Sequence, residues 1–496
     1  MDFGDRLTRR HLLERVSWLL AAAATTPARA LRAAPRAQAG PGKGASGVMA
    51  TLSTYMSEAA GRELPADALE KTKHHVVDTL AAMVSGVELP PGQVALKFAR
   101  AHNAEKTATV VGTSILCSAI DAALVNGMLA HSDETDDSHA PSHSHPGCAV
   151  VPAALAAGEQ FGIGGAHFLR AVALGYDIGT RVTMTLGGFP FQMETHRSAH
   201  NFANNFGAGA AAGCAAGLTS QQMRWLIDYS AQQASGVAAW QRDTEHVEKS
   251  LVFGGLPARN GVTNALLIAL GGTGVDDIMS GDDNFLLTNA PKADPAKLVD
   301  KLGERYEVAR TNIKKWTVGS PIQAPLDALE IIRKKHPFEP DHVEKVVVRV
   351  ATSEAKTVNN RDMPDISMQH MIAVMLLDKT ASFAAAHDKP RMKDPAVLRQ
   401  RAKVQLVPDE ELERLYPKRI SVVEVTLTDG THLTERVEAV RGTTDNPMPR
   451  EEIIGKATDL MTPFLGAAKC KRLIDELFDL EHAKDIRALR PLLQRA

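Results

Sequence analysis

From about Met49 onward, apolar residues return at mixed three- and four-residue steps, the period of helices with one buried face. Leu64-Pro65 predicts a helix start, and Leu69, His75, Val76, Leu80 and Met83 mark its inward positions as far as Gly86. The same pattern predicts helices over 117–131, 148–161, 165–184, 206–217, 220–236 and 259–270. The run from Phe206 to Leu218 is almost all Gly and Ala, which predicts helices in close approach. After about Tyr306 the period changes. Val346-Val347-Val348-Arg349-Val350 is a short β-branched run. Val423, Val425 and Leu427 alternate with polar residues up to Asp429-Gly430, a hairpin signal leading into Leu433 and Val437. Helical patterns at 322–335, 368–386 and 394–404 lie among them, and 449–493 is helical again. The fold predicted is mainly α: a large helical domain over 48–305, completed by 441–496, with a smaller α+β domain over 306–440.

Length agrees, since 496 residues exceed one ordinary core. A chain that is 44% hydrophobic and 23% charged has the composition of a soluble globular protein. Its formal net charge of −2 gives no electrostatic case for nucleic acid or a membrane surface as partner. Cys117, Cys148, Cys214 and Cys470 are scattered with no CxxC pair, which argues against a zinc ribbon or a cysteine-held iron–sulfur cluster. For Cys214 and Cys470, packing as small apolar residues is the expectation.

The beginning of the chain has a different character. Thr8-Arg9-Arg10-His11-Leu12-Leu13 is similar to a twin-arginine export motif, followed by an apolar run from Val16 to Ala24. The A-x-A sites Ala28-Arg29-Ala30 and Ala37-Gln38-Ala39 follow, and residues 31–47 read as a linker rich in Ala, Pro, Gly and Arg. Residues 1–47 are therefore expected to be an export signal and linker, with a periplasmic mature protein. An amphipathic or disordered N-terminal extension on a cytoplasmic protein is the alternative. No later segment approaches the roughly 20 apolar residues of a membrane span, so no membrane association is expected after processing.

Chemistry concentrates between Leu129 and Ala154. There Asp133, Glu134, Asp136 and Asp137 are interleaved with His131, His139, His143 and His145, ahead of an apolar run from Cys148. Pro141 and Pro146 keep the polar part from being one helix, so these side chains sit on a loop or a helix mouth and can converge. So many ionisable groups beside an Ala/Val-rich core cost desolvation unless they have partners or a task. The segment reads as an active-site loop.

At this point the chain resembles the MmgE/PrpD family. The resemblance rests on Leu64-Pro65 with Val76-Val77-Asp78-Thr79-Leu80 and Gly86, and on Asn126-Gly127 leading to His131. Asp136-Asp137-Ser138 and Ser144-His145-Pro146-Gly147 follow, then Phe206-Gly207 and Lys249-Ser250-Leu251 with Gly254. Asp327-Ala328, Arg441-Gly442 and Asn446-Pro447 complete the order. The resemblance implies a helical domain built from both ends of the chain, an α+β lid, a homodimer, and a site between the domains that uses no metal or other cofactor. It also implies a lyase or isomerase that moves a proton on carbon beside a carboxylate of a small polycarboxylate. Dehydration of the 2-methylcitrate type leads, with epimerisation and decarboxylation needing the same first step.

Carried over residue by residue, the resemblance implies Glu134, Ser138, His145 and Lys249 as catalytic residues. The histidine ahead of the Phe-Gly helix falls on His196 or His200, with His200 taken as catalytic. Lys314, with Lys315 as its rival, would bind substrate, as would Asp136, Arg197 and His370, which stands where the family has a tyrosine. Departures are the longer loop before His145 and Val252 in place of a family histidine.

The chemistry needs a base of matched pKa and cations to hold enediolate charge. His145 is the candidate base, oriented by Asp136 or Glu134. The helix N-terminus near His200, with Arg197, favours an anionic group. Two other classes stay open. His139, His143 and His145 with the aspartates could ligate a metal in a hydrolase. A periplasmic polycarboxylate-binding protein without turnover is the other.

Overall fold

The computed structural model describes residues 44–495. The twin-arginine motif, the apolar run Val16–Ala24 and both A-x-A sites lie outside the described residues.

The expected long helices form as α2 (Ala66–Gly86), α4 (Ala119–Ala130), α5 (Gly147–Phe161) and α6 (Gly165–Leu186), and α1 (Gly47–Glu58) and α3 (Pro90–Ala101) join them. After α7 (Phe189–Thr195) come α8 (Ala199–Ala215), α9 (Ser220–Gln233) and α10 (Leu256–Ala269). Their inner faces make one apolar core through Val76, Leu80, Val150, Leu155, Phe202 and Phe206. Two later helices, α15 (Arg450–Leu465) and α16 (Ala467–Phe478), bury Ile453, Leu460, Leu473 and Leu477 in that same core, so both ends of the described chain build the helical half.

A second core, from Trp316 to Val440, is built on a four-stranded sheet and α11 (Ser320–Lys335). Strand β3 (Val343–Ala351) is central, parallel to β4 (Val404–Asp409) and antiparallel to β5 (Ser421–Leu427). The β5–β6 hairpin, with β6 at His432–Val437, closes through Asp429-Gly430, where Gly430 has φ 85°. The first two strands, β1 (Ala108–Thr109) and β2 (Leu116–Cys117), form a separate small pair in the helical half. The architecture is mainly α, a large helical domain with a smaller α+β domain. No described helix is long and apolar enough to cross a membrane.

Four local departures from the sequence reading have physical causes. Helix α8 begins ahead of the Gly/Ala run, because Ser198 caps it by accepting from the Asn201 amide and its polar first turns are buried against partners. The helical pattern at 368–386 is interrupted at Lys379, which takes φ 63°, leaving α12 (Met368–Asp378) and α13 (Phe383–His387). After α14 (Pro395–Arg401) the chain turns into β4, taken out of the helical pattern by parallel pairing with β3 from Val404 onward. Tyr306, Val308 and Ile313, assigned from sequence to the smaller domain, are buried with the helical core instead.

Candidate active site

The loop between α4 and α5 is buried almost throughout, and its charges are matched one by one. Helix α4 ends at His131, whose Nδ1 lies 2.9 Å from Asp136 Oδ2. The other oxygen of Asp136 takes His145 Nδ1 at 3.1 Å. One carboxylate therefore holds two imidazoles. Burial opposes its charge, yet His131 and His145 keep Asp136 well below the usual carboxylate range. His145 is pushed below the ordinary imidazole value, by burial first, with Asp136 opposing and Lys314 assisting. It is neutral near pH 7, with Nδ1–H given to Asp136 and Nε2 left as the basic nitrogen.

Glu134 collects the cations. Its Oε1 pairs with Lys249 Nζ, and its Oε2 lies 3.5 Å from Lys314 Nζ. Lys314 also donates to the Glu134 carbonyl at 2.8 Å and stands 3.8 Å from Asp136. Burial works against Glu134's charge, but Lys249 and Lys314 hold the carboxyl well below its usual value. The Lys249 ammonium lies 5.5 Å from the Trp240 ring centroid and 5.3 Å from that of Phe253.

Neighbouring residues fix this arrangement. Asp137 accepts from the Gly147 amide at 3.0 Å and from the Tyr176 hydroxyl at 2.5 Å, and sits 2.9 Å from His75. It thus ties the loop to α2, α5 and α6. A Cβ on Gly147 would fall within 2.7–2.8 Å of Thr79, Tyr176 and Asp137, so only glycine fits where the loop enters α5. From the tail, Lys456 binds Asp78 at 2.6 Å and donates to the Thr135 carbonyl at 2.9 Å. The Ser138 amide donates to the Asn312 carbonyl, and the Asn312 amide donates to Ser138 in return, which sets Lys314 two residues on. Gly442 accepts from the Ile313 amide so closely that a Cβ there would meet the Ile313 carbonyl, and Asp327 accepts from the Arg441 amide at 2.8 Å. The glycine and acidic motifs read from sequence thus position the lysine.

A cavity of about 250 Å³ opens beside these groups, lined by Ser138, His143, His145, His200 and Lys314 together with Arg419 and Gly442. His200 stacks on Phe253 with centroids 4.0 Å apart and lies 5.3 Å ring to ring from His145. Burial first, then the neighbouring imidazoles and Lys249, hold His200 well below the ordinary imidazole value, so it is neutral. Its Nδ1 is buried without a hydrogen-bond partner among the described residues, as are His131 Nε2 and His246 Nε2.

Of the residues singled out from sequence, Glu134, Asp136, Ser138, His145, Lys249, His200 and Lys314 come together. Among them Ser138, His145, His200 and Lys314 line the cavity; Lys249 and Glu134 stand behind Lys314. Three do not join. Lys315 turns away to Glu330 at 2.6 Å and lies over the Trp316 ring. Arg197 pairs with Asn289 and lines a different cavity with Phe202 and Gln232. His370 is buried within the smaller domain on α12, and burial pushes its pKa down to about 4.

Sequence reasoning missed several members. His246 reaches within 3.8 Å of Glu134, and Asn204 donates to the carbonyls of His145 at 2.9 Å and Phe253 at 2.7 Å. Asn204 lies one turn after His200, a helical spacing that could have flagged it. His387 and Arg419 come from the smaller domain, far along the chain, with no local signal.

The H-x-x-x-H-x-H reading does not converge. His139 is engaged by Ser142 and Glu307, His143 packs on Phe189, and His145 faces Asp136. Two other groups among the described residues bring metal-ligating atoms together: His131 with Asp136 and Cys148, and His131 with Glu134 and His246. In the first, both oxygens of Asp136 are already engaged by the Nδ1 atoms of His131 and His145. In the second, two ammonium groups already meet Glu134 and oppose a further cation. Neither donor set fits a divalent metal well.

Residues 50–297 match the MmgE/PrpD N-terminal domain and residues 316–480 the MmgE/PrpD C-terminal domain. The chain is similar to a cis-aconitate decarboxylase of Aspergillus terreus, 24% identical over 486 residues, which covers 90% of this chain and 96% of the relative. A cis-aconitate decarboxylase-like protein, oryM, of Aspergillus oryzae is 23% identical, covering 90% and 97%. Human cis-aconitate decarboxylase is 25% identical over 452 residues, covering 86% and 90%.

Proposed function

Because the chain belongs to the MmgE/PrpD family, we propose that it is a lyase acting on a small polycarboxylate by proton transfer at a carbon beside a carboxylate. The observation that carries the reading is a neutral His145 on the cavity wall, its Nδ1 engaged by Asp136 and its Nε2 left to act as base. In the mechanism proposed, Nε2 takes the carbon-bound proton while Lys314 binds the adjacent carboxylate and stabilises the enediolate. Glu134 holds Lys314 in place and is itself pinned by Lys249. Ser138 and the neutral His200 border the cavity where a second carboxylate or a leaving hydroxyl would lie.

Loss of water is the reaction proposed: the proton that His145 Nε2 takes from carbon is returned to the hydroxyl, which leaves as water, while neutral His200 donates a hydrogen bond to the same oxygen. Decarboxylation is the second reading, favoured by the names of the curated relatives. In that reaction carbon dioxide leaves and a proton is added to the carbon rather than taken from it. The twin-arginine motif supports a periplasmic enzyme, and the family resemblance supports a homodimer.

The test is incubation in heavy water with a panel of di- and tricarboxylates, followed by proton NMR, with His145→Ala alongside. Deuterium wash-in or conversion that the variant loses is the expected result, and carbon dioxide release would separate decarboxylation from dehydration. Binding without any exchange would overturn the lyase and favour a carrier.

A further inference from the structure

The smaller domain contributes cations to the cavity wall that the mechanism above leaves unused, and Arg419 is the one backed by a buried carboxylate. Arg419 lies just ahead of β5 and lines the cavity beside Lys418. Its Nη1 is held by Glu354, a carboxylate with only 3% of its side chain exposed, whereas the Arg419 side chain keeps 29%. Burial pushes the Glu354 carboxyl up although Arg419 opposes it. A second guanidinium nitrogen reaches the Tyr416 hydroxyl at 3.4 Å. A guanidinium has five N–H donors in a planar fork, so two contacts leave an edge free to take a carboxylate.

The fork is also fixed in place. Its carbon lies 5.6 Å from the Tyr416 ring centroid, and the Tyr416 ring lies 5.3 Å from Phe189 of the helical domain. Phe189 in turn lies 4.8 Å from His143 on the cavity wall. An aromatic line therefore runs from the helical side of the cavity to Arg419. A buried carboxylate behind a partly open guanidinium is the arrangement of an anchored anion receptor, not of a solvated surface arginine.

We propose that Arg419 is a second carboxylate-recognition group, so that the ligand spans the cavity between Lys314 on one wall and Arg419 on the other. The inference deepens the proposed function and rests on its substrate class. It selects acids with at least two carboxylates and gives Arg419 a role in specificity, with no part in proton transfer.

The experiment is calorimetric titration with tricarballylate and with butyrate, for the wild type, Arg419→Lys, Arg419→Met, and Arg419→Met combined with Glu354→Gln. The double variant leaves no unpaired buried carboxylate if the single one folds poorly. Removing a charge-assisted pair is expected to weaken tricarballylate about 10- to 100-fold while the weak butyrate binding is unchanged. Arg419→Lys should retain part of the affinity, having the charge without the fork. Equal loss for both ligands, or no loss for either, would overturn the assignment, as would a wild type that binds neither. Selective loss with no deuterium exchange would uphold Arg419 and overturn the lyase reading instead.

Discussion

His387 of the smaller domain stands 2.9 Å from Asp133 of the site loop, an ion pair joining the two cores directly behind the lysine–glutamate cluster. Burial would lower the imidazole, but Asp133 raises it to about 9. Asp133 also accepts from the Thr135 amide at 2.9 Å, so the pair fixes the backbone next to Glu134.

Stability should therefore depend on pH through His387. Its folded pKa of about 9 lies above the unfolded value near 6.5, so its contribution is complete below about 6.5 and is lost as pH rises through 9. Asp365, raised by burial to about 7, completes its own titration lower and leaves the upper part of this window to His387. Relative to wild type, His387→Gln should lose about 2–3 kcal/mol in urea unfolding at pH 6.5 and almost nothing at pH 10. A deficit equal at both pH values would show that the contact is packing alone.

The Asp136–His145 pair predicts the pH profile of turnover. A base must be neutral, so activity is lost as pH falls through the His145 pKa. Because burial lowers that pKa, the acid limb of kcat/KM should lie below the ordinary imidazole value of about 6.5. His145→Ala should reduce kcat by about 10²- to 10⁴-fold. In Asp136→Asn the opposing carboxylate is gone, so the limb should move lower still while kcat falls. A limb that moves upward in that variant would contradict the assignment of Asp136.

The lysines separate by position. Lys314→Met removes the cavity's ammonium beside His145 and should cost about 10²- to 10³-fold in kcat/KM, the scale of one charge-stabilising donor. Lys249→Met acts through Glu134 and should cost less. Lys315→Met breaks a partly buried pair with Glu330 and a contact over the Trp316 ring, away from Lys314, and should stay within about two-fold in kcat/KM. Steady-state kinetics on the three variants would read the order, and parity of Lys315 with Lys314 would sink it.

Much of this was legible in the chain. Helix periodicity and the Asp429-Gly430 hairpin depend on neighbours in sequence, and they survive tertiary packing. The site loop was legible because its acids and imidazoles are dense enough to demand partners. What was not legible was direction. Lys314 and Lys315 are adjacent and chemically alike, and the Ser138–Asn312 and Ile313–Gly442 contacts turn one inward and the other toward Glu330. Arg197 is singled out by its charge beside a helix start and His370 by its place in the family resemblance, yet a pairing with Asn289 and burial on α12 take them elsewhere. Arg419 and His387 reach the site through the smaller domain's tertiary arrangement, which no local pattern encodes.

The tail's hold on the site gives the last prediction. Lys456 on α15 joins Asp78 of α2 to the Thr135 carbonyl, and both charged groups are almost fully buried. Burial pushes the Asp78 carboxyl up despite Lys456. Lys456→Met would leave that carboxylate without its cation, a loss expected to cost about 3–5 kcal/mol at pH 8. The ionised form is the costly one and its folded pKa is raised, so the deficit should shrink as pH is lowered toward 5 and Asp78 takes up a proton. Adding Asp78→Asn removes the unpaired charge, so the double variant should recover most of the stability. It should not recover full activity, because Thr135 stays untethered next to Glu134. Urea unfolding at pH 5 and pH 8 measures the first two effects and the deuterium exchange assay the third. A deficit that is flat with pH would mean that Lys456 acts through its carbonyl contact and its buried stem, not through the charge of Asp78.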